Sequence, residues 1–190
     1  YIVNKINVLD EFRRVFELES RAIAGLQKNL GFNYEEAVRV LFACQGKVVV
    51  TGVGKSGLIG QKIAATMVST GTVAMLLLSA DWMHGDVGII QKEDVVLAIG
   101  KSGESEEINT ILPVAQKIGA KVISITTQPK STMARHSDVV LHTPIEEEAC
   151  PLNMAPTCST TAALVLGDAL ALSLIHISEP PRRYAISYAV

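Results

Sequence analysis

Val48-Val49-Val50-Thr51-Gly52-Val53-Gly54-Lys55-Ser56-Gly57 is an apolar run that breaks into a glycine turn carrying a serine. Further along, Val95-Val96-Leu97-Ala98-Ile99-Gly100-Lys101-Ser102-Gly103-Glu104-Ser105 repeats the design. A continuous Val/Ile/Leu run reads as a strand covered on both faces, and glycines followed by hydroxyl-bearing residues read as a turn into a helix. Strand, glycine turn, hydroxyl and helix start together aim backbone N–H groups and the positive end of a helix dipole at an anion. One phosphate held by two such turns is the simplest reading of the pair.

The same period-2 or continuous apolar pattern recurs at 47–51, 73–78, 94–99, 121–126 and 138–142, which predicts five strands. Helical patterns lie between them at 56–69, 105–118 and 131–136, and a last helix is expected from Thr157. Ahead of them, Val8, Phe12, Val15, Phe16, Ile23, Leu26 and Leu30 recur at helical spacing up to a stop at Gly31. Asn33 with Glu36 then reads as a capped start for a second helix that ends at Gly46. Alternating β and α at this spacing predicts an α/β fold: a three-layer α/β/α sandwich with a five-stranded parallel sheet and an N-terminal helical extension. The expected domain runs over 1–171, with N-terminal helices at 8–45 and the α/β core at 47–171. In such a sheet ligands gather at the carboxyl ends of the strands, near the point where strand order reverses. Both serine turns fall there, as do His84-Gly85-Asp86 and Glu146-Glu147-Glu148.

Composition narrows the partner. The 190 residues are 48% apolar, enough for one buried core. A net charge of -2 leaves no basic excess for a nucleic-acid backbone, and no uninterrupted apolar run reaches the roughly 18 to 20 residues of a membrane span. The expected partner is a small soluble molecule, with no nucleic acid and no membrane. Cys44, Cys150 and Cys158 show no C-x-x-C spacing and lie in or beside apolar stretches, as reduced core thiols of a cytoplasmic protein do. The start at Tyr1 has neither an initiator Met nor the pattern of a signal peptide, so a truncated chain is expected.

Two nucleotide readings compete for the first turn. Gly52 to Gly57 formally matches G-x-G-x-x-G, and Gly54-Lys55-Ser56 resembles the end of a P-loop. A P-loop needs a glycine where Val49 stands, and a dinucleotide fold wants an acid ending the second strand, where Leu76-Leu77-Leu78-Ser79 stands. Ser102-Gly103-Glu104-Ser105 decides against both, because a dinucleotide site does not need a second anion turn.

Thr51-Gly52-Val53-Gly54-Lys55-Ser56-Gly57, His84-Gly85-Asp86, Ser102-Gly103-Glu104-Ser105, Glu148-Ala149-Cys150-Pro151-Leu152 and Ala155-Pro156-Thr157-Cys158-Ser159-Thr160-Thr161 together resemble the sugar isomerase (SIS) domain of arabinose-5-phosphate isomerases. The likeness runs from about Val8 to Ala171. It implies interconversion of D-ribulose 5-phosphate and D-arabinose 5-phosphate, the first step toward the eight-carbon sugar Kdo of lipopolysaccharide. It further implies a cytoplasmic homo-oligomer, usually a tetramer, with no organic cofactor and no metal, and a Kdo nucleotide as a feedback ligand. Carried over by position, Lys55, His84, Glu107 and Glu148 are the polar catalytic set. Gly54, Ser56, Ser102, Gly103 and Ser105 match the phosphate-binding turns, and Thr157, Ser159 and Thr160 the segment that closes over the sugar.

Those residue types suit the chemistry. Aldose–ketose isomerisation removes a proton beside a carbonyl, passes through a cis-enediol and returns a proton to the neighbouring carbon, so it needs a base and a stabiliser for the developing oxyanion. Lys55 is expected at the oxyanion and either Glu107 or Glu148 at the proton. Taken singly, each residue also has a plain structural explanation. Serines cap helices, an acid in a first helical turn is favourable anyway, and an acidic triplet such as 146–148 is ordinarily a solvated surface. Lys55 is the exception, because a cation at a helix start opposes the dipole unless an anion is bound there.

Two departures from the pattern stand out. The relatives carry Ser-Asn-Ser-Gly-Glu where this chain has Gly100-Lys101-Ser102-Gly103-Glu104, which trades a hydroxyl for a positive charge. Residues 172–190 form an atypical tail without the relatives' His-Pro-Gly-Gly segment, and they resemble adapter-derived translation foreign to a gene. On that reading the last helix ends early. The rival functions are a hexulose- or heptose-phosphate isomerase of the same fold, and a non-catalytic phosphosugar sensor.

Overall fold

The structure is a computed structural model that describes residues 7–78 and 86–177. Five parallel strands, β1 (Val48–Gly52), β2 (Ala74–Leu76), β3 (Val95–Ile99), β4 (Lys121–Thr126) and β5 (Val139–His142), form one sheet in the order β2-β1-β3-β4-β5. The helices are α1 (Val8–Lys28), α2 (Phe32–Ala43), α3 (Lys55–Ser69), α4 (Glu106–Ile118), α5 (Thr132–Arg135) and α6 (Cys158–Ile177). A short 3-10 turn at Asp86–Ile89 precedes β3.

Alternate residues of each strand feed two separate cores. Val48, Val50, Leu97, Ile99, Ile123 and Leu141 face Ala37 and Leu41 of α2, Ile63 and Met67 of α3, and the apolar residues of α6. Val49, Val96, Ala98 and Val122 face Ile108, Leu112 and Ala115 of α4 together with Met133 of α5. Burial on both faces is why these strands read as unbroken apolar runs. The predicted three-layer sandwich and its five strands are the observed architecture, with most strand ends shifted by a residue and the second strand, expected over 73–78, confined to Ala74–Leu76.

α6 has the length and hydropathy of a membrane-spanning helix, yet half of it is buried and it packs against α1, α2 and α3. A helix that is apolar nearly all round marks either a bilayer or a core position, and these contacts show that α6 is a core helix here. It also continues past Ala171 to Ile177, with Leu174 1% exposed inside the main core. The early end expected of the last helix is therefore not observed, because the first tail residues keep the apolar face that α6 needs. Asn33 is likewise not a cap. α2 begins at Phe32 behind Gly31, and the Asn33 amide instead donates to the Val140 carbonyl of β5 at 3.2 Å.

Strand order reverses between β1 and β3, which pair directly from Val48 with Val95 to Gly52 with Ile99. Both serine turns leave the sheet side by side at that point. Gly52 and Gly57 permit the first turn. A Cβ on Gly52 would stand 2.8 Å from the Ser56 carbonyl carbon, and one on Gly57 would stand 2.8 Å from the Gly52 oxygen. Gly103 permits the second, at φ +65°, with Ser131 Oγ only 2.1 Å from where a Cβ would lie. Gly103→Ala is expected to destabilise the chain by roughly 1–3 kcal/mol, the range for a strained backbone combined with overpacking. A urea titration against the parent checks this.

Candidate active site

Two carboxylates are buried among the described residues, Asp94 and Glu148, at opposite ends of the sheet. Asp94 stands just before β3. Its carboxylate accepts from the Lys47 N–H (2.9 Å), the Gln91 N–H (2.8 Å) and the Lys47 ammonium (2.7 Å), and so pins the amino ends of two strands. Glu148 lies beyond the carboxyl end of β5, where ligands of such sheets bind, and is 1% exposed. Glu146 and Glu147 beside it are exposed, so the acidic triplet is a solvated surface at two positions and a buried centre at the third.

The start of α6 holds Glu148 in place. Its Oε2 accepts from the Thr157 N–H (2.8 Å), the Thr157 hydroxyl (3.1 Å) and the Ser159 N–H (3.2 Å), while the Ser159 hydroxyl donates to Oε1. The carboxylate thus caps α6 from outside the helix, where a negative charge meets the positive dipole end. The Thr157 hydroxyl also accepts from the Ala149 N–H at 2.8 Å, Asn153 Oδ1 accepts the Glu148 N–H at 2.8 Å, and Arg14 of α1 donates to the Ala149 carbonyl. Oε1 receives a second partner, the Lys101 ammonium at 2.8 Å. Burial pushes the Glu148 carboxyl up, but Lys101, Ser159 and Thr157 outweigh it and bring the pKa down to about 2.

Stability should follow that ionisation. A depressed carboxyl contributes above its unfolded-state value of 4.5 and loses the contribution as pH falls toward about 2. The full effect is on the order of 3 kcal/mol. The urea midpoint is expected to drop through this window, and Glu148→Gln should flatten the drop.

Near this centre lie two clefts that take in some of the expected residues, whereas Lys55, Ser102, Gly103, Ser105, Thr157 and Glu148 line neither. Ser56, Gly100, Lys101, Thr126, Thr127, Thr143, Ser159 and Thr160 line a narrow cleft that Ile99 and Ile125 also line. Gly54 and Glu107 line its neighbour, with Gly57, Leu58, Gln61, Leu76 and Leu78. The first turn is the partition between them. Glu107 is exposed in the first turn of α4, and Lys55 is exposed as the first residue of α3. Ser102 Oγ accepts from the Glu104 N–H at 3.2 Å, and Ser105 stands at the cap position of α4 without a side-chain bond to it. Gly103 is buried, and its carbonyl accepts from Met133 N–H at 2.9 Å. His84 lies outside the described residues.

Lys101 and the threonines are what the sequence did not bring forward. The Lys101 carbonyl accepts from the Thr126 hydroxyl (2.9 Å), the Thr127 hydroxyl (2.9 Å) and the Thr127 N–H (3.1 Å), which anchors the second turn to the end of β4. The one available signal was that Lys101 departs from the usual turn sequence.

The profile of the SIS domain matches residues 41–173 of this chain, which spans the sheet, both serine turns and the Glu148 loop. The chain belongs to the SIS domain family. It is 45% identical over 171 residues to the arabinose 5-phosphate isomerase KdsD of Pseudomonas aeruginosa, covering 90% of this chain and 52% of that protein. It is 47% identical over 163 residues to the enzyme of the same name from Shigella flexneri, covering 86% and 50%. The chain thus spans about half the length of these curated relatives. Among solved structures, that of E. coli CFT073 c3406 in complex with arabinose 5-phosphate superposes with a TM-score of 0.91 at 37% identity, over 98% of this chain and 100% of that one. The expected SIS family and its fold therefore stand.

Proposed function

We propose that this SIS domain catalyses the cofactor-free interconversion of D-ribulose 5-phosphate and D-arabinose 5-phosphate. The observation that carries the reading is Glu148: a buried, ionised carboxylate bonded by Lys101 and Ser159, which line the cleft beside Ser56 of the first turn. Curated relatives bearing that activity and a closely similar chain holding arabinose 5-phosphate support the choice of substrate.

In this reading the phosphate sits on the first turn, Gly54 and Ser56, and the second, Ser102, Gly103 and Ser105, where helix starts favour an anion. Glu148 takes the proton from the carbon beside the carbonyl and returns it to the adjacent carbon through the cis-enediol. Lys55 stabilises the enediol oxygen as charge develops on it. Glu148 is preferred to Glu107 as the base because the start of α6 fixes it behind Ser159 and Lys101 of the first cleft, whereas Glu107 is exposed in the neighbouring one. Thr157 and Ser159 orient the base, and Ser159 and Thr160 face the sugar. The enzyme works in the cytoplasm as a homo-oligomer, a tetramer in this reading. It supplies the Kdo branch of lipopolysaccharide synthesis, with a Kdo nucleotide as its feedback ligand.

The test is an isomerisation assay on ribulose 5-phosphate using the complete gene, alongside hexulose and heptose phosphates. Turnover fastest on the pentose phosphate is expected. Preference for a longer sugar would move the assignment within the family. Binding of sugar phosphate with no solvent deuterium entering the carbon-bound position would make the domain a sensor instead.

A further inference from the structure

The Lys101–Glu148 pair joins two parts that the proposed function uses separately. Lys101 belongs to the second anion turn, and Glu148 is the base. Their 2.8 Å contact links them although their backbones sit on different loops. The two ends of the pair differ in freedom. The Glu148 carboxylate is locked by Thr157 and Ser159 and its backbone N–H by Asn153 Oδ1, and the Lys101 main chain is locked by Thr126 and Thr127. The Lys101 side chain, however, is 40% exposed on a flexible four-carbon stem. The ammonium is the part of the pair that can move.

We propose that Lys101 is a latch on Glu148 that a phosphate bound at the paired turns releases. The inference rests on the proposed isomerase reading for its consequence, though not for its geometry. A phosphate carries nearly two negative charges against one on the carboxylate, and it would sit over the turn that bears Lys101. Drawn toward it, the ammonium leaves Glu148 with only the hydrogen bonds of α6. A carboxylate paired with a cation is a poor base, and proton transfer is most efficient when the base titrates nearer the working pH. Substrate binding would therefore raise the basicity of Glu148 at the moment it is needed, and Lys101 is a positioning residue that acts through it.

Other charges near Glu148 do not duplicate this role. On its own loop, Glu146 and Glu147 are exposed, and Cys150 has its thiol pushed down by the backbone N–H groups of Ala155, Met154 and Leu152. From α1, Arg14 is bonded to Glu11 and to the Ala149 carbonyl, and Glu19 accepts from Thr161. From α6 only the neutral donors of Thr157 and Ser159 reach the carboxylate.

Carbon-13 NMR of the Glu148 carboxyl in the full chain, assigned through its own backbone, tests the latch without requiring turnover. In the parent the carboxyl should show no titration above about pH 4, and saturating inorganic phosphate should raise its midpoint by about one pH unit or more. Lys101→Met should raise the midpoint by roughly one to three pH units without phosphate, and phosphate should then add little. Lys101→Arg should restore the parent response. In the isomerase assay, Lys101→Met should gain an acid limb in kcat/KM that the parent lacks. Phosphate that shifts the amides of both turns but leaves the Glu148 midpoint unmoved overturns the latch, as does an equal rise in Lys101→Met. A parent that shows the NMR response without isomerising any sugar phosphate keeps the latch and removes the isomerase reading. A parent that isomerises without the response does the reverse.

Discussion

Glu148→Gln is expected to lower turnover on ribulose 5-phosphate by roughly 10²- to 10⁴-fold, the usual worth of a positioned base, with a smaller change in KM. Glutamine preserves the shape of the side chain but cannot hold the proton between the two carbons. The substitution also disturbs the start of α6. The Thr157 and Ser159 donors lose a charged acceptor, and one amide hydrogen must face the Lys101 ammonium or a hydroxyl. Thermal melts recorded beside the kinetics keep these effects apart. Loss of activity with a cooperative melt assigns Glu148 to the chemistry, whereas parent-like turnover would take it out of the mechanism. Glu107→Gln is the control. Its exposed position in the neighbouring cleft predicts a much smaller loss, and the reverse order of the two effects would exchange their roles.

The second large effect is expected at Lys55. Lys55→Ala should cut kcat by about 10²- to 10³-fold, as removal of one oxyanion-stabilising donor does elsewhere. It should not cost stability. Lys55 is exposed at the first residue of α3, where a positive charge opposes the helix dipole, so the alanine variant should melt at or slightly above the parent temperature. A more stable but slower protein is the signature of a residue kept for function rather than folding. Ser102→Ala should behave differently, raising KM several-fold with little change in kcat, because a phosphate contact is made equally in the ground and transition states. Equal kcat losses in both variants would blur that division.

The sequence alone determined the layers and the sheet edge to which the two serine turns belong. Strand and helix periodicities are local properties, and parallel strands buried on both faces advertise themselves as unbroken apolar runs such as 48–50 and 95–99. Two glycine turns closing two such runs were expected side by side at the carboxyl edge of the sheet, and the pairing of β1 with β3 puts them there, since a right-handed β/α alternation leaves few topologies to choose among. Helix starts were less legible where packing overrode the local signal, as at Asn33, which spends its side chain on β5 instead of on α2.

Only the tertiary structure decided which acid of the triplet is buried. Nothing local separates Glu148 from Glu146 and Glu147. What separates them is that the first N–H groups of α6 and the Lys101 ammonium converge on one carboxylate and leave the other two in water. The same holds for the partition that puts Ser56 in one cleft and Glu107 in the other. Burial and ion pairing join residues far apart in the chain, so they come into being only when the helices have closed over the sheet.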